Sequence, residues 1–405
     1  MRWEKVKLGD LANCIQPGPF GSQLHSSDYA DEGIPIIMPK DMIGGKISHQ
    51  DLIRVPDEHL QRLKRHQVFD GDLMVARKGD VRKCVYITEN ENGWLTGSDC
   101  LKVSLDKGKC YPKYIYYQLR SPFIGRWLET ISIGATMPSL NTGLLSGIEI
   151  SLPTIDEQMR IAEVLSSYDD LIVNNQKQIK LLEEAAQRLY KEWFVDLRFP
   201  GHETTPITDG IPEGWSIGEV AGFGEIVTGK TPSTSKEEYY GGNIPFVKIP
   251  DMHNRVFPVT TEVCLSKEGA DTQKNKYIPR NSLMVSCIAT VGLVNIALEE
   301  CQTNQQINSV ILHNERDLYF LYFTLKQMKD LLDGVGSNGA TMTNVNKTKF
   351  GKIPVVCPST DMRNAFYEWC EPVFRKIENL SRNIVLLQEA RDSLLPKLMN
   401  GEIEV

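Results

Sequence analysis

GATMPSLN at residues 134–141 and GATMTNVN at residues 339–346 decide how this chain is organised. Each octapeptide leads through an apolar stretch to a proline and then into a long amphipathic segment. The first segment closes on LLEEAAQRL (181–189), the second on LLQEARDSL (386–394). Gly134, Asn141, Ile148 and Pro153 recur as Gly339, Asn346, Ile353 and Pro358, always 205 residues later. Ile172, Ile179, Leu182, Glu184 and Leu189 recur at the same interval as Ile377, Ile384, Leu387, Glu389 and Leu394. One spacing held across a loop and a helix marks a tandem duplication, and a function must explain why two copies are needed.

Outward from the octapeptides, each copy predicts one long helix. Thr154 and Glu157 have the Thr-x-x-Glu spacing of a capping box, just after Pro153. Leu165, Ile172, Ile179, Ala186 and Trp193 fall every seven residues, with Tyr168, Asn175, Leu182 and Leu189 as the second seam position. Asn175 in that seam would cost stability and fix register. In the second helix Ser359 is the expected cap, and Cys370, Ile377, Ile384, Arg391 and Leu398 alternate with Val373, Leu380, Leu387 and Leu394. Pro396 is expected to end or kink it. Two matched seams predict an antiparallel coiled coil, whose length from Leu165 to Trp193 is on the order of 40 Å.

Before each octapeptide lies a shared scaffold. IPIIMPKDM (34–42) recurs as IPFVKIPDM (244–252), and GDLMVARKGDVR (71–82) as NSLMVSCIATVG (281–292), both 210 residues apart. Prolines around IPIIMP and the apolar LMVA run read as buried strands, residues 3–11 as a short strand leading into a polar loop, and residues 114–119 as a helix. Residues 77–83 put four cations on a hairpin turn, which suits phosphate or base contact and equally suits an ordinary solvated turn. The hydroxyl and amide groups of GATMPSLN stand between the same alternatives, contact or local capping. The fold class is therefore mixed α+β: two similar globular domains joined through two long antiparallel helices. The expected boundaries are 1–153 for the first domain, 154–195 for its helix, 196–211 for a Pro/Gly/Thr-rich linker, 212–358 for the second domain and 359–401 for its helix.

Composition narrows the function class. A length of 405 residues accommodates two cored domains, and 41% hydrophobic with 24% charged residues is ordinary for a soluble protein. No apolar run is long enough to span a bilayer, no secretory leader is apparent, and nine scattered cysteines form no CxxC pair, so a cytoplasmic chain with reduced thiols is expected. A net charge of −7 argues against a non-specific coat for nucleic acid but leaves room for a local basic surface. GEIVTGKT (224–231) satisfies the phosphate-loop pattern, yet Pro232 and a polar run follow where that loop needs a helix N-terminus. No other catalytic or metal signature is present, and the expectation is a non-catalytic chain with neither cofactor nor metal.

Taken together, GKTPS (229–233), EYYGGNIPFVKIPDM (238–252), both GATM loops, LPTIDEQMRIAEVLSSYD (152–169), FVDLRFPGHE (194–203), IPEGW (211–215) and LLPKLMNGEIEV (394–405) resemble the specificity subunits of type I restriction–modification enzymes. The resemblance covers nearly the whole chain. It implies two target recognition domains, each reading half of a split, asymmetric site in double-stranded DNA, with the paired helices setting the gap. It also implies docking of two methyltransferase subunits, joined by restriction motor-nuclease subunits, and assigns S-adenosylmethionine, ATP and magnesium to those partners. Half-sites about one helical turn apart, roughly 34 Å, suit such a spacer. A protein-interaction scaffold and an orphan DNA-recognition protein are the competing readings.

Candidate DNA contacts follow by position. The first copy offers Ser22, Gln23, Lys40, Arg77, Lys78, Arg82, Lys83, Thr136 and Asn141. The second offers Lys230, Thr231, Lys248, Asn304, Gln305, Gln306, Thr341 and Asn346. Arginine and lysine suit guanine edges and phosphates, whereas asparagine and glutamine suit adenine.

Overall fold

The computed structural model describes residues 3–132, 138–336 and 344–405, with backbone only at residues 22, 333, 335 and 336. The chain divides into two units. Unit 1 comprises residues 1–170 and 387–405, and unit 2 comprises residues 171–386.

Unit 1 is built on four antiparallel strands, β1 (Ala12–Pro17), β2 (Leu73–Ala76), β3 (Cys84–Tyr86) and β4 (Cys100–Leu105), in the order β1-β4-β2-β3. Both faces are covered, which is why LMVA is apolar throughout rather than alternating. On one face Leu73, Val75, Leu101 and Val103 meet helix α1 (Pro112–Leu119) through Tyr114, Ile115 and Tyr117. On the other, Met74, Val85 and Cys100 pack on Ile37 and Met42. Ile37 belongs to the strand Ile34–Ile37, which pairs antiparallel with Ile53–Val55 and parallel with Leu95–Thr96. Residues 3–11 differ from the expected strand: Glu4–Lys7 pairs with Glu149–Leu152, and Leu8–Leu11 then makes a helical turn that buries both leucines.

Unit 2 repeats this plan. Strands β5 (Gly224–Thr228), β6 (Leu283–Ser286), β7 (Val294–Ile296) and β8 (Ile307–Leu312) run in the order β5-β8-β6-β7, all antiparallel. The strand Tyr240–Val247 lies between Cys264–Leu265 and, in parallel, Gln302–Thr303. The repeated PKDM/IPDM tetrapeptides do the same local job. Asp41 Oδ2 accepts from the Met38 amide at 2.8 Å, and Asp251 Oδ2 accepts from the Lys248 amide at 2.9 Å.

Helices α2 (Ile155–Tyr190) and α4 (Thr360–Met399) follow the two prolines. The capping box at Thr154 is formed: Glu157 Oε2 accepts from the Thr154 amide at 3.0 Å and from its hydroxyl at 2.7 Å. Ser359 Oγ accepts from the Met362 amide at 3.4 Å. Pro396 does not end α4, which runs on for one turn to Met399 and keeps Leu395, Leu398 and Met399 buried. A proline so near the end forfeits a single ladder bond, which that burial offsets.

Each unit grips its helix segment through a buried tyrosine and a carboxylate. In unit 1 the Tyr117 hydroxyl donates to Asp169 Oδ2 at 2.7 Å and Arg391 donates to Oδ1 at 2.6 Å. In unit 2, 205 residues on from Tyr117, Tyr322 on α3 (Leu318–Gln327) donates to Glu183 Oε1 at 2.6 Å, beside Lys326. Burial, reinforced by the carboxylate, pushes both phenols well above their ordinary range.

Candidate nucleic-acid interface

The loops carrying the predicted contacts gather at one end of each four-stranded sheet. In unit 1 the chain leaves β1 at Pro17, and the Gly18 amide donates to the Cys100 carbonyl at 3.1 Å. A Cβ on Gly18 would lie 2.0 Å from the Gly97 carbonyl oxygen, so only glycine lets the loop lie against the 97–100 backbone. The turn between β2 and β3 is fixed from both sides. Arg77 N donates to Asp99 O at 2.7 Å, Gly79 N to Pro138 O at 3.1 Å, and Leu140 N to Arg77 O at 2.8 Å. Lys83 Nζ donates to Pro39 O at 2.9 Å, bringing in the turn that bears Lys40.

Charges on this face are mostly paired. Lys78 lies 3.1 Å from Asp99, and Arg82 lies 3.1 Å from Asp80 and 3.3 Å from Glu129. Lys40 donates to Asp51 O at 3.3 Å and lies 4.0 Å from Asp41. Arg77 differs: its guanidinium sits 5.6 Å over the Phe20 ring, and it takes part in no ion pair among the described residues. Phe20 is 55% exposed. The sequence reading passed it over, although an aromatic among glycines and prolines has no core to join there. Gln23 presents a buried Oε1 without a partner. Asn141 Oδ1 accepts from the Leu144 amide at 2.8 Å and caps a five-residue helix, which leaves its NH2 group available. The Ser22 side chain and Thr136 lie outside the described residues.

Unit 2 assembles the same loops with different chemistry. Gly229 N donates to Ile307 O at 3.1 Å, Cys287 N to Gln306 O at 2.8 Å, and Val345 N to Cys287 O at 2.9 Å. Asn304 Nδ2 donates to Gln306 Oε1 at 2.9 Å, while Asn304 Oδ1 accepts from the Gln306 amide at 3.1 Å. Thr231 Oγ1 donates to Gln305 Oε1 at 2.8 Å, so Asn304, Gln305, Gln306 and Thr231 form one neighbourhood. Lys230 belongs to it through its amide, which donates to Thr303 O at 2.9 Å. Lys248 stands apart, 3.6 Å from Glu262. Asn346 repeats the capping role of Asn141, accepting from the Lys349 amide at 2.9 Å. Thr341 lies outside the described residues. Where unit 1 places Arg77, unit 2 places Cys287, and burial pushes that thiol up to about 11, so it stays neutral.

The residues of the phosphate-loop pattern form no anion cradle. Gly224–Thr228 is strand β5, paired with β8, and no helix begins at Lys230 or Thr231. A Cβ on Gly229 would lie 2.2 Å from the Asn304 carbonyl oxygen, which accounts for that glycine by close packing. All nine cysteines are unpaired. Among the described residues no cluster of His, Cys, Asp and Glu is placed to hold a metal ion, and no helix is long and apolar enough to cross a membrane.

Residues 1–184 and 212–386 each match a family model described as the type I restriction modification DNA specificity domain. The chain is 29% identical to the type I restriction enzyme HindI specificity subunit of Haemophilus influenzae, over 99% of both chains. It is 27% identical to the MjaIX specificity subunit of Methanocaldococcus jannaschii, over 100% of this chain and 94% of the relative. Among solved structures, the S subunit of a type I restriction-modification system from M. genitalium superposes with a TM-score of 0.58 at 14% identity. That match covers 98% of this chain and 96% of the other.

Proposed function

The chain belongs to the family of type I restriction–modification DNA specificity domains, and from that premise we propose how its two faces divide one DNA target. The chain is the specificity component of such a complex and supplies recognition rather than catalysis. Each unit reads one half of a bipartite, asymmetric sequence in double-stranded DNA through the loops at the end of its sheet. One observation carries this reading: the same backbone bonds assemble both faces, while Arg77, Lys78, Arg82 and Lys83 give way to Cys287, Ile288, Gly292 and Leu293. A duplicated scaffold whose turn is cationic and largely exposed in one copy and apolar and largely buried in the other suits two readers of different sequences.

The chemistry assigns roles. In unit 1 Arg77, which has no carboxylate partner among the described residues, is the guanine reader, donating from its fork to O6 and N7 of one base. Exposed Phe20 beside it offers an apolar surface to a thymine methyl group. Lys40, Lys78 and Arg82 hold phosphates after exchanging ion pairs that are worth about 1 kcal/mol or less, and Lys83 after leaving the Pro39 carbonyl. In unit 2 the Asn304, Gln305 and Gln306 amides, with Thr231, suit adenine. Lys230 and Lys248 suit the backbone. The NH2 groups of Asn141 and Asn346, without a partner among the described residues, and Gln23 add polar groups, while Ser22, Thr136 and Thr341 are contacts by sequence position alone.

Helices α2 and α4 set the gap between half-sites, since an unbroken 36-residue helix is about 54 Å long. They also dock two methyltransferase subunits, with restriction motor-nuclease subunits joining that core. The chain itself needs no cofactor; S-adenosylmethionine, ATP and magnesium act in the partners, and the assembly works in the cytoplasm. The test is a binding assay of the chain with its methyltransferase subunits on DNA carrying the motif methylated in the host. Tight binding that disappears when either half of the motif is scrambled is the expected result. Equal affinity for scrambled DNA contradicts the reading.

A further inference from the structure

Besides the Asn141 and Asn346 caps, one further surface feature is kept in both copies. The 3-10 turn Lys64–His66 in unit 1 and the 3-10 turn Lys274–Lys276 in unit 2 lie 210 residues apart, and both are basic. Burial, helped by Arg65, holds the His66 imidazole down to about 4, so each turn presents two cations at neutral pH: Lys64 with Arg65, and Lys274 with Lys276. None of these four takes part in an ion pair among the described residues. Neighbouring cations are already engaged, Arg62 with Asp28 at 2.8 Å and Lys267 with Asp271 at 3.9 Å.

Each turn is fastened beside the root of a reading loop, by different means. In unit 1 the Gln16 side chain on β1 donates to the Arg65 carbonyl, and Lys102 on β4 donates to the Arg65 and Gln67 carbonyls at 2.9 and 2.8 Å. Lys102 is 8% exposed and takes part in no ion pair among the described residues; the two carbonyls hold its ammonium group. In unit 2 Gln273 donates to the Lys230 carbonyl at 2.7 Å, which ties the turn directly to the loop after β5. Gln273 also donates to Gln302 Oε1 at 2.7 Å. The fastening bonds have changed between the copies, and the charge they present has not. A charge kept while the reading side chains diverge suits a ligand common to both halves of the target, as the phosphodiester backbone is.

We propose that residues 64–65 and 274–276 are paired phosphate clamps, each holding the DNA backbone beside its half-site without regard to sequence. This rests on the DNA-reading function proposed above and adds residues to it. Lys102, under the first clamp, deepens the positive field that an incoming phosphate meets.

The test uses the full chain assembled with its methyltransferase subunits, titrated with site-bearing and random-sequence duplexes from about 50 to about 200 mM salt. Replacing Lys64 and Arg65 by glutamine should lower the log–log salt slope by about 1.8, from about 0.9 per phosphate contact. That shrinks the affinity change over this salt range by about 12-fold. K274Q with K276Q should do the same, the four together should lose twice as much in slope, and K64R with R65K should restore it. The ratio of specific to random-sequence affinity should not move. An unchanged slope, or a loss confined to the site-bearing duplex, overturns the proposal. If the unsubstituted complex shows no salt-dependent binding, it is the DNA-reading function that fails, which is a separate outcome.

Discussion

At the end of its sheet unit 1 presents guanidinium and ammonium groups, and unit 2 presents amides above a buried, neutral thiol. Yet the backbone beneath is the same in kind. Arg77 and Cys287 each donate an amide proton to the residue before the last long strand, at 2.7 and 2.8 Å. Gly79 and Ala289, 210 residues apart, both adopt positive φ, 78° and 64°. An alanine held there is under strain, so the turn shape is imposed by the sheet and not by its own sequence. The difference teaches that framework and reading surface are separable: side chains at positions 77–83 change freely because the bonds that shape the turn belong to the main chain.

The comparison can be broken most severely at the buried carboxylates. Asp169→Ala removes the buried partner of Tyr117 and Arg391, leaving Arg391 only the exposed Asp392, and should cost about 3 kcal/mol. Glu183→Ala should cost less, about 1–2 kcal/mol, because its partner Lys326 is partly exposed and can hydrate. Urea unfolding followed by hydrogen exchange, peptide by peptide, separates the two units and checks the ranking.

Acid should also tell the units apart. His66 is held at about 4 when folded against 6.5 when unfolded, so between those pH values the unfolded chain binds more protons. Stability of unit 1 is therefore complete above about 6.5, falls as pH drops toward 4, and is level below. The total loss is at most about 3 kcal/mol. Unit 2 has Lys276 at this position and should lack that transition. His66→Phe should abolish it in unit 1, as read by the same unfolding assay at several pH values.

On DNA, Arg77→Ala should cost about 1–3 kcal/mol of discrimination at one base pair in one half-site, and replacement of the exposed Gln305 by Ala a similar amount in the other half. Lys78→Ala, which removes an exposed pair with Asp99, should cost less than about 1 kcal/mol, uniformly across sequences. Competition binding against single-base variants distinguishes these patterns. A comparably small effect is expected of Gly79→Ala, about 1 kcal/mol of stability from backbone conformation alone, since nothing lies within 4 Å of the added Cβ.

Much of the architecture was legible in the sequence because duplication printed it twice. The strands at LMVA and LMVS, the Thr154 capping box and the helical seams follow from period and spacing. Other features were hidden for identifiable reasons. The helices capped by Asn141 and Asn346 have five residues each, too few to show a period, so capping and contact looked alike. Leu8–Leu11 is a single turn between two strands and reads as a continuation of them. Lys102 lies within an apolar strand, and its buried position depends on the 64–67 turn lying across the sheet, a tertiary fact. Phe20 and Arg77 are 57 residues apart, and only the fold brings them together. The two GATM loops that reveal the repeat lie partly outside the described residues.

The central claim is that each unit reads its own half of one split sequence. The most direct measurement is the adenine-methylation motif in cells carrying the complete complex, mapped with the unaltered chain and with Arg77→Ala. The account predicts a bipartite motif whose halves are separated by a fixed gap, with the substitution relaxing one half and leaving the other intact. A contiguous motif, or relaxation of both halves together, would contradict it.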